Sequence, residues 1–238
     1  MKKAIVVGAT SGIGRELSKL LVSKGYQTGI TGRRSDLLLE IQKESPGQYF
    51  IKAFDITITE IIPQKLEELV QELGGLDLIV ICSGTGHENK TLDFAIEKQT
   101  IGTNVSGFTA LADWAYNYFE KKKTGQLVAI TSIAGLRGGR QAPSYNATKA
   151  YEINYLEGLR QKAGKEKQQI TITDIRPGFV DTEMAKGEGL FWVAPVAKAA
   201  NQILRAIEQK RKIAYVTKRW VIIACLLKSL PNWIYNKI

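Results

Sequence analysis

"AIVVGATSGIGRELSKLLVSKG", Ala4 to Gly25, decides how this chain is read. A short apolar run enters a cluster of glycines, and a helical pattern follows and stops at Gly25. Strand, tight loop and helix therefore succeed one another without a break. In that setting each glycine of "VGATSGIG" (Val7–Gly14) has a task. Gly8 permits the turn, Gly12 lets a phosphate approach the backbone, and Gly14 lets the helix pack closely on the strand. The helix then presents free N–H groups and its positive dipole end to a pyrophosphate. The spacing is G-x-x-x-G-x-G rather than G-x-G-x-x-G, and glycines serving only as turn residues are the competing reading.

The same alternation continues along the chain. "QTGIT", "QYFIKAF", "LDLIVICSG", "GQLVAITS", "ITITDIRPG" and "KIAYVT" read as further strands. Between them lie helical patterns: "DLLLEIQKES" with Ser35 as its cap, a segment through Glu72 with Pro63 near its start, and stretches near Thr100–Tyr118, from Ser144, and near Pro195–Gln209. The nearly unbroken apolar fourth strand suits a parallel strand covered on both faces. The expectation is an α/β fold: a single Rossmann-type, doubly wound parallel sheet with helices on both faces. Residues 1–217 are expected to form one domain, dinucleotide-binding and catalytic, and 218–238 a basic, apolar C-terminal tail that is not a separate domain.

Composition is that of a globular chain: 238 residues, 44% hydrophobic and 24% charged. Cys82 and Cys225 lie in apolar surroundings and read as buried free thiols, with neither a disulfide framework nor metal-ligand spacing. No metal site is expected. Only four apolar residues follow "MKK" before Gly8, too few for a signal peptide, so a cytoplasmic protein is expected. The net charge of +10 is concentrated at one end, because from Arg205 onward eight basic residues face one acid, Glu208. That surplus is interleaved with apolar residues and offers no stacking platform, which argues against nucleic acid.

The end of the second strand selects the dinucleotide. An NAD site places a carboxylate there to bind the ribose hydroxyls. Here "ITGRRSD" puts Arg33 and Arg34 directly after Gly32. Guanidinium groups bind a 2′-phosphate that a carboxylate would repel, so NADP (as NADPH) is expected ahead of NAD. Asp36 reads as a first-turn acid stabilising the next helix dipole. A solvated surface pair is the competing reading of the arginines.

"SYNATKAY" (Ser144–Tyr151) places Tyr145 and Lys149 one helical turn apart on one face. A phenol with a pKa of about 10 is a poor proton shuttle near neutrality, and an adjacent ammonium stabilises its phenolate. The pair forms a tuned acid/base for an alcohol proton. Ser132, ending the fifth strand in "AITSIAG", stands at the carboxyl edge where such sheets bind ligands, and can polarise a carbonyl.

With glycine loop, Ser132 and Y-x-x-x-K in this order, the chain resembles the classical short-chain dehydrogenase/reductase family from Lys3 to about Val216. The resemblance implies catalysis by Asn104, Ser132, Tyr145 and Lys149, with Asn104 ("TNVSG") holding a proton-relay water. It implies cofactor binding by Gly8, Thr10, Ser11, Gly12, Ile13, Gly14, Arg33, Arg34, Asp55, Ile56, Ser83, Gly84, Tyr145, Lys149, Pro177, Gly178, Val180 and Thr182. Within that set Asp55 meets the adenine, and Val180 and Thr182 meet the nicotinamide carboxamide. One departure stands out: the family's N-N-A-G is here "ICSG" (Ile81–Gly84), without either asparagine. His87, just beyond, reads as a loop residue.

The expected activity is hydride transfer between NADP(H) and a carbonyl or secondary alcohol, the substrate being a small and lipophilic molecule. A non-catalytic dinucleotide-binding module, sensor or structural, is the alternative. The family implies a homodimer or homotetramer built on the two long helices. Leu190, Phe191 and Trp192 suit a lid over an apolar substrate or ordinary core packing, and Arg137 and Arg140 a solvated loop or an anionic substrate. In the tail, Trp220–Leu227 is apolar on all sides and too short to span a bilayer. Burial in an oligomer or the cleft is expected first, and peripheral membrane contact second.

Overall fold

The computed structural model describes residues 1–184 and 190–237. Seven strands form one parallel sheet: β1 (Lys3–Val7), β2 (Gln27–Gly32), β3 (Tyr49–Ala53), β4 (Leu78–Ile81), β5 (Thr124–Ile130), β6 (Gln169–Pro177) and β7 (Ile213–Val216). Their order is β3-β2-β1-β4-β5-β6-β7. The chain thus builds outward from β1 in one direction, then returns and builds in the other. The reversal lies between β1 and β4, the position where open α/β sheets bind ligands. Val7 is in register with Thr31 on one side and Ile81 on the other, and Ile81 with Ala129. The loops after β1, β2, β4 and β5 therefore leave the sheet along one edge.

Successive residues of β1 serve opposite faces, as a period of two requires. Ile5 and Val7 pack with Leu66, Leu69, Phe108, Leu111 and Leu156 from α3 (Ile62–Leu73), α5 (Phe108–Lys122) and α6 (Pro143–Lys165). Ala4 and Val6 pack with Leu17, Leu21, Leu38, Ile203 and Ile207 from α1 (Gly12–Ser23), α2 (Ser35–Glu44) and α7 (Val196–Glu208). Both faces of the sheet are covered, which is why the central strands β1 and β4 are nearly all apolar.

Three expectations need correction. Ser35 is the first residue of α2; Arg34 occupies the cap and no side chain closes it. The helix expected over Thr100–Tyr118 extends from α4 (Phe94–Ile101) through a π-helical turn (Gly102–Gly107) into α5. It begins at Asp93, whose carboxylate accepts the Ala95 N–H at 2.9 Å. Cys225 is exposed on a tail helix rather than buried. That tail folds into α8 (Trp220–Ser229) and α9 (Asn232–Tyr235).

Candidate active site

The loop after β1 shows why its glycines are glycines. Gly8 has φ +85°, and a Cβ there would lie 2.7 Å from the Ser83 backbone nitrogen. A Cβ on Gly14 would lie 2.2 Å from the Gly8 carbonyl oxygen, so α1 can start beneath the loop only without a side chain. Gly12 faces Thr182, whose Cγ2 would be 3.1 Å from an added Cβ. The segment after β6 therefore lies across the crevice from the glycine loop. The first turn of α1 contains no acid, and Ser11 at its cap makes no side-chain bond to it. Its N–H groups and positive end are left for an anion. Ile13 packs inward, against the core layer of α1 and α7.

The end of β2 carries positive charge and no carboxylate of its own. Arg34 donates to the hydroxyls of Thr10 (2.8 Å) and Ser11 (2.9 Å), tying the two loops together. Arg33 is exposed and stands 3.7 Å from Asp55. Asp36 sits in the first turn of α2. Asp55 Oδ1 accepts both the N–H and the hydroxyl of Thr57, each at 2.9 Å. Burial opposes the Asp55 charge, but Thr57 and Arg33 outweigh it and hold the carboxyl below its ordinary value. Ile56, beside it, is buried. In "ICSG", Ser83 Oγ is buried with no hydrogen-bond partner among the described residues. An orphaned hydroxyl and an uncapped helix N-terminus at the glycine loop, with two guanidiniums after β2, fit a phosphorylated dinucleotide.

The chemical end lies at the same edge. Ser132 follows β5 and caps a 3₁₀ turn (Ile133–Leu136), its Oγ accepting the Ala134 N–H at 3.1 Å. Tyr145 is in the first turn of α6, with the Lys149 Nζ 5.9 Å from its ring centroid. Lys149 is 3% exposed and donates to the Ile130 carbonyl at 3.3 Å. Asn104 stands in the π-helical turn and is fully buried. Its Oδ1 accepts the Thr85 N–H (2.9 Å), and its Nδ2 donates to the Thr85 carbonyl (2.7 Å) and to Thr148 Oγ1 (3.1 Å). A Cβ on Gly84 would be 3.2 Å from Lys149 Nζ and 3.5 Å from Asn104 Oδ1. Gly84, Asn104 and Lys149 thus meet at one point.

Several partners escaped the sequence reading. Glu152, one turn after Lys149, is buried and accepts from its ammonium at 2.9 and 2.8 Å. Burial works against the Lys149 charge, but Glu152 and then Tyr145 outweigh it, and the pKa ends above the usual lysine value. Burial pushes the Glu152 carboxyl up to about 7, against the pull of Lys149. The i,i+3 spacing was visible; the burial that gives it meaning was not. Asn146, inside "YNATK", donates to the carbonyls of Ala134 and Arg137, both at 2.9 Å, and latches the loop after Ser132 to α6. Gly86 lies flat against Tyr145, whose Cδ2 would be 2.4 Å from an added Cβ. Behind Ser132, Thr131 donates to Asp174 at 2.6 Å, and Asp174 pairs with Arg176 at 2.6 Å in the buried end of β6.

The segment after β6 and the tail line the other side. Pro177 pairs with Val216, Val180 bridges to Ala194, and a Cβ on Gly178 would strike the Trp220 ring at 1.9 Å. Trp220 and Ala224 of α8 are buried against Ile133, with Phe179 and Leu136 beside them. Phe191 packs tilted on Trp220 at 5.1 Å between centroids, and Trp192 meets it edge-on at 5.9 Å. Residues 185–189, just before Leu190, lie outside the described residues. Arg137 holds the tail, donating to the Leu230 carbonyl (3.0 Å) and Asn232 Oδ1 (2.8 Å) and lying 4.3 Å over the Tyr235 ring. That engages it otherwise than in a solvated loop or on an anionic substrate. His87 is exposed and pairs with the Thr85 hydroxyl at 3.2 Å.

Fold and crevice define a nucleotide-binding α/β protein with a Tyr–Lys pair at the switch edge of its sheet. Residues 2–190 match the family model described as short chain dehydrogenase. The chain belongs to that family and is an oxidoreductase. An oxidoreductase of Mycobacterium tuberculosis, named as uncharacterized, is 28% identical over 241 residues, spanning 97% of this chain and 94% of that protein. One of Myxococcus xanthus, also named as uncharacterized, is 31% identical over 188 residues, 77% of this chain and 74% of that one. Among solved structures, a short-chain dehydrogenase from Streptomyces avermitilis superposes with TM-score 0.84 at 22% identity, covering 94% of this chain and 91% of that one. ElxO, solved with NADP bound, gives TM-score 0.82 at 20% identity over 93% and 99%.

Proposed function

We propose that this oxidoreductase uses NADP(H) to interconvert a small lipophilic carbonyl compound and its secondary alcohol, with Tyr145 as the acid/base. The observation that carries the reading is the buried Lys149 held charged beside Tyr145 by Glu152. A purely structural dinucleotide module would have no use for a buried ammonium next to a phenol. When bound in the crevice, the nicotinamide supplies or accepts the hydride.

The chain's own residues handle the proton. Ser132 Oγ already accepts from Ala134, so its hydroxyl proton is free to polarise a carbonyl oxygen. Tyr145 delivers a proton to that oxygen, and the positive field of Lys149 stabilises the phenolate left behind. Gly86 supports the Tyr145 ring, and Asn104 fixes the Thr85 backbone just before it and stands beside Lys149, where the family places the relay water. On the cofactor side, residues 8–14 would cradle the pyrophosphate, and Arg33 and Arg34 favour the 2′-phosphate. Asp55 and Ile56 would border the adenine, Ser83 and Gly84 the nearby ribose, and Pro177, Gly178, Val180 and Thr182 the nicotinamide. NADP bound to the similarly folded ElxO is consistent with that choice. Residues 1–217 would form the catalytic unit, with 218–238 as an appended tail. The aromatic wall of Phe179, Phe191 and Trp220 suits an apolar substrate. A cytoplasmic homodimer or homotetramer would pair through α4–α5 and α6.

Tyr145→Phe tests the reading because the ring stays and only the hydroxyl goes. Turnover should fall by roughly 10²–10⁴-fold while NADPH binding, followed by fluorescence, stays nearly unchanged. Near-normal turnover in the variant would overturn the assignment.

A further inference from the structure

The tail helix α8 has two apolar faces, and only one is used. Trp220, Ala224 and the half-buried Ile223 and Leu227 pack against Ile133, Leu136 and Phe179. The opposite face carries Val221, Ile222, Cys225 and Leu226, with Ile222 65% and Leu226 53% exposed. Trp233 of α9, 68% exposed, continues the tail, and Phe191, Trp192 and Val193 are exposed at its N-terminal end. Arg219 joins the two segments, donating to the Trp192 carbonyl at 2.7 Å with its guanidinium 5.1 Å from the Trp192 ring. Residues 190–193 and 218–237 contain Lys218, Arg219, Lys228 and Lys237 and not one acid. All four of these basic residues are exposed.

We infer that this face of α8, with Trp233 and the 190–193 segment, docks on an anionic lipid surface. The charge argues for lipid over a second copy of the chain. A two-fold contact would press one all-basic patch against another, whereas acidic headgroups complement it. The large apolar side chains would sit in the headgroup–acyl boundary, and each basic charge near such a surface contributes about fivefold in partition. Among the described residues no helix is long and apolar enough to cross a membrane, so the contact is peripheral. Because the inner face of α8 packs on the turn that follows Ser132, docking brings the substrate side of the crevice to the lipid. That consequence rests on the reductase reading and points to a membrane-dissolved carbonyl substrate. The docking itself does not depend on it.

The test is co-sedimentation of the full chain with phosphatidylcholine vesicles, with and without an equal part of phosphatidylserine. Binding to the mixed vesicles, weakening as salt is raised, with blue-shifted tryptophan fluorescence that Trp233→Phe diminishes, is the expected result. Ile222→Glu with Leu226→Glu should cut the bound fraction at least tenfold and leave NADPH-dependent turnover of a water-soluble ketone unchanged. Both side chains are exposed, and circular dichroism reports that the variant is folded. Three results would overturn the inference: protein remaining in the supernatant at low salt, equal binding to phosphatidylcholine alone, or a larger solution mass that the double variant reduces. The last would assign the face to a second copy. Absence of ketone turnover in the unmodified protein would instead count against the reductase reading and leave the vesicle result standing.

Discussion

At the scale of single residues, the site depends on charges that are paired or left unpaired in particular places. Glu152 is the clearest case. Its carboxyl binds a proton more tightly folded, at about 7, than at its ordinary value of 4.5. Such a group adds stability below its unfolded pKa and loses it as pH rises through the folded one. Stability should therefore decline between those two values more steeply in the unmodified protein than in Glu152→Gln. Thermal midpoints measured across this range should move in the variant's favour as pH rises, and parallel curves would contradict the burial argument. The two arginines after β2 should separate as well. Arg33 is free of the glycine loop, so Arg33→Ala removes about 1.5–3 kcal/mol of charge-assisted bonding from NADPH alone, one to two decades in affinity. Arg34→Ala also releases Thr10 and Ser11, so it should weaken NADPH and NADH together. Titration of both cofactors checks this, and equal losses for NADPH and NADH in Arg33→Ala would count against the 2′-phosphate reading. That Tyr145, Lys149 and Ser132 come together at one edge was legible because it follows from local spacing and chain order. Glu152, Gly86 and the second role of Arg34 were not, because each depends on which distant segment folds against it.

At the scale of elements, the strands and most helices could be read because apolar runs and glycine stops are local signals. The π-helical turn at Gly102–Gly107 could not. It places Asn104 where both ends of its amide are satisfied by Thr85, a segment some twenty positions earlier in the chain. Nothing in "TNVSG" announces that partnership. Asn104→Ala would leave the Thr85 N–H and carbonyl without partners, at a cost of about 1–3 kcal/mol for each group that water does not reach. A lowered urea midpoint with an unchanged slope, together with reduced turnover, is the expected outcome. An unchanged midpoint would show that the amide is dispensable to the loop carrying Gly84 and Gly86. The tail shows the same limit from the other side. Its apolar residues were evident, but only folding shows that Trp220 closes on Gly178 while Ile222 faces outward.

At the scale of the whole molecule, the sheet order sets the function's address. Because β1 lies between β2 and β4, the glycine loop, the Arg33–Arg34 pair, "ICSG", Ser132 and the start of α6 all converge on one edge. At "ICSG" the backbone runs close to its neighbours: Gly8 lies against the Ser83 backbone, and Gly84 lies beside Lys149. Whether this edge reduces carbonyls with NADPH, as proposed, is tested by supplying both. NADPH deuterated at the nicotinamide C4 should be consumed with aldehydes and ketones of graded chain length, faster with the longer apolar ones. The deuterium should appear on the carbinol carbon of the product, with NADH a poor substitute. Consumption of neither cofactor with any carbonyl, or deuterium lost to solvent instead of transferred to carbon, would rule out NADPH-dependent carbonyl reduction at this edge.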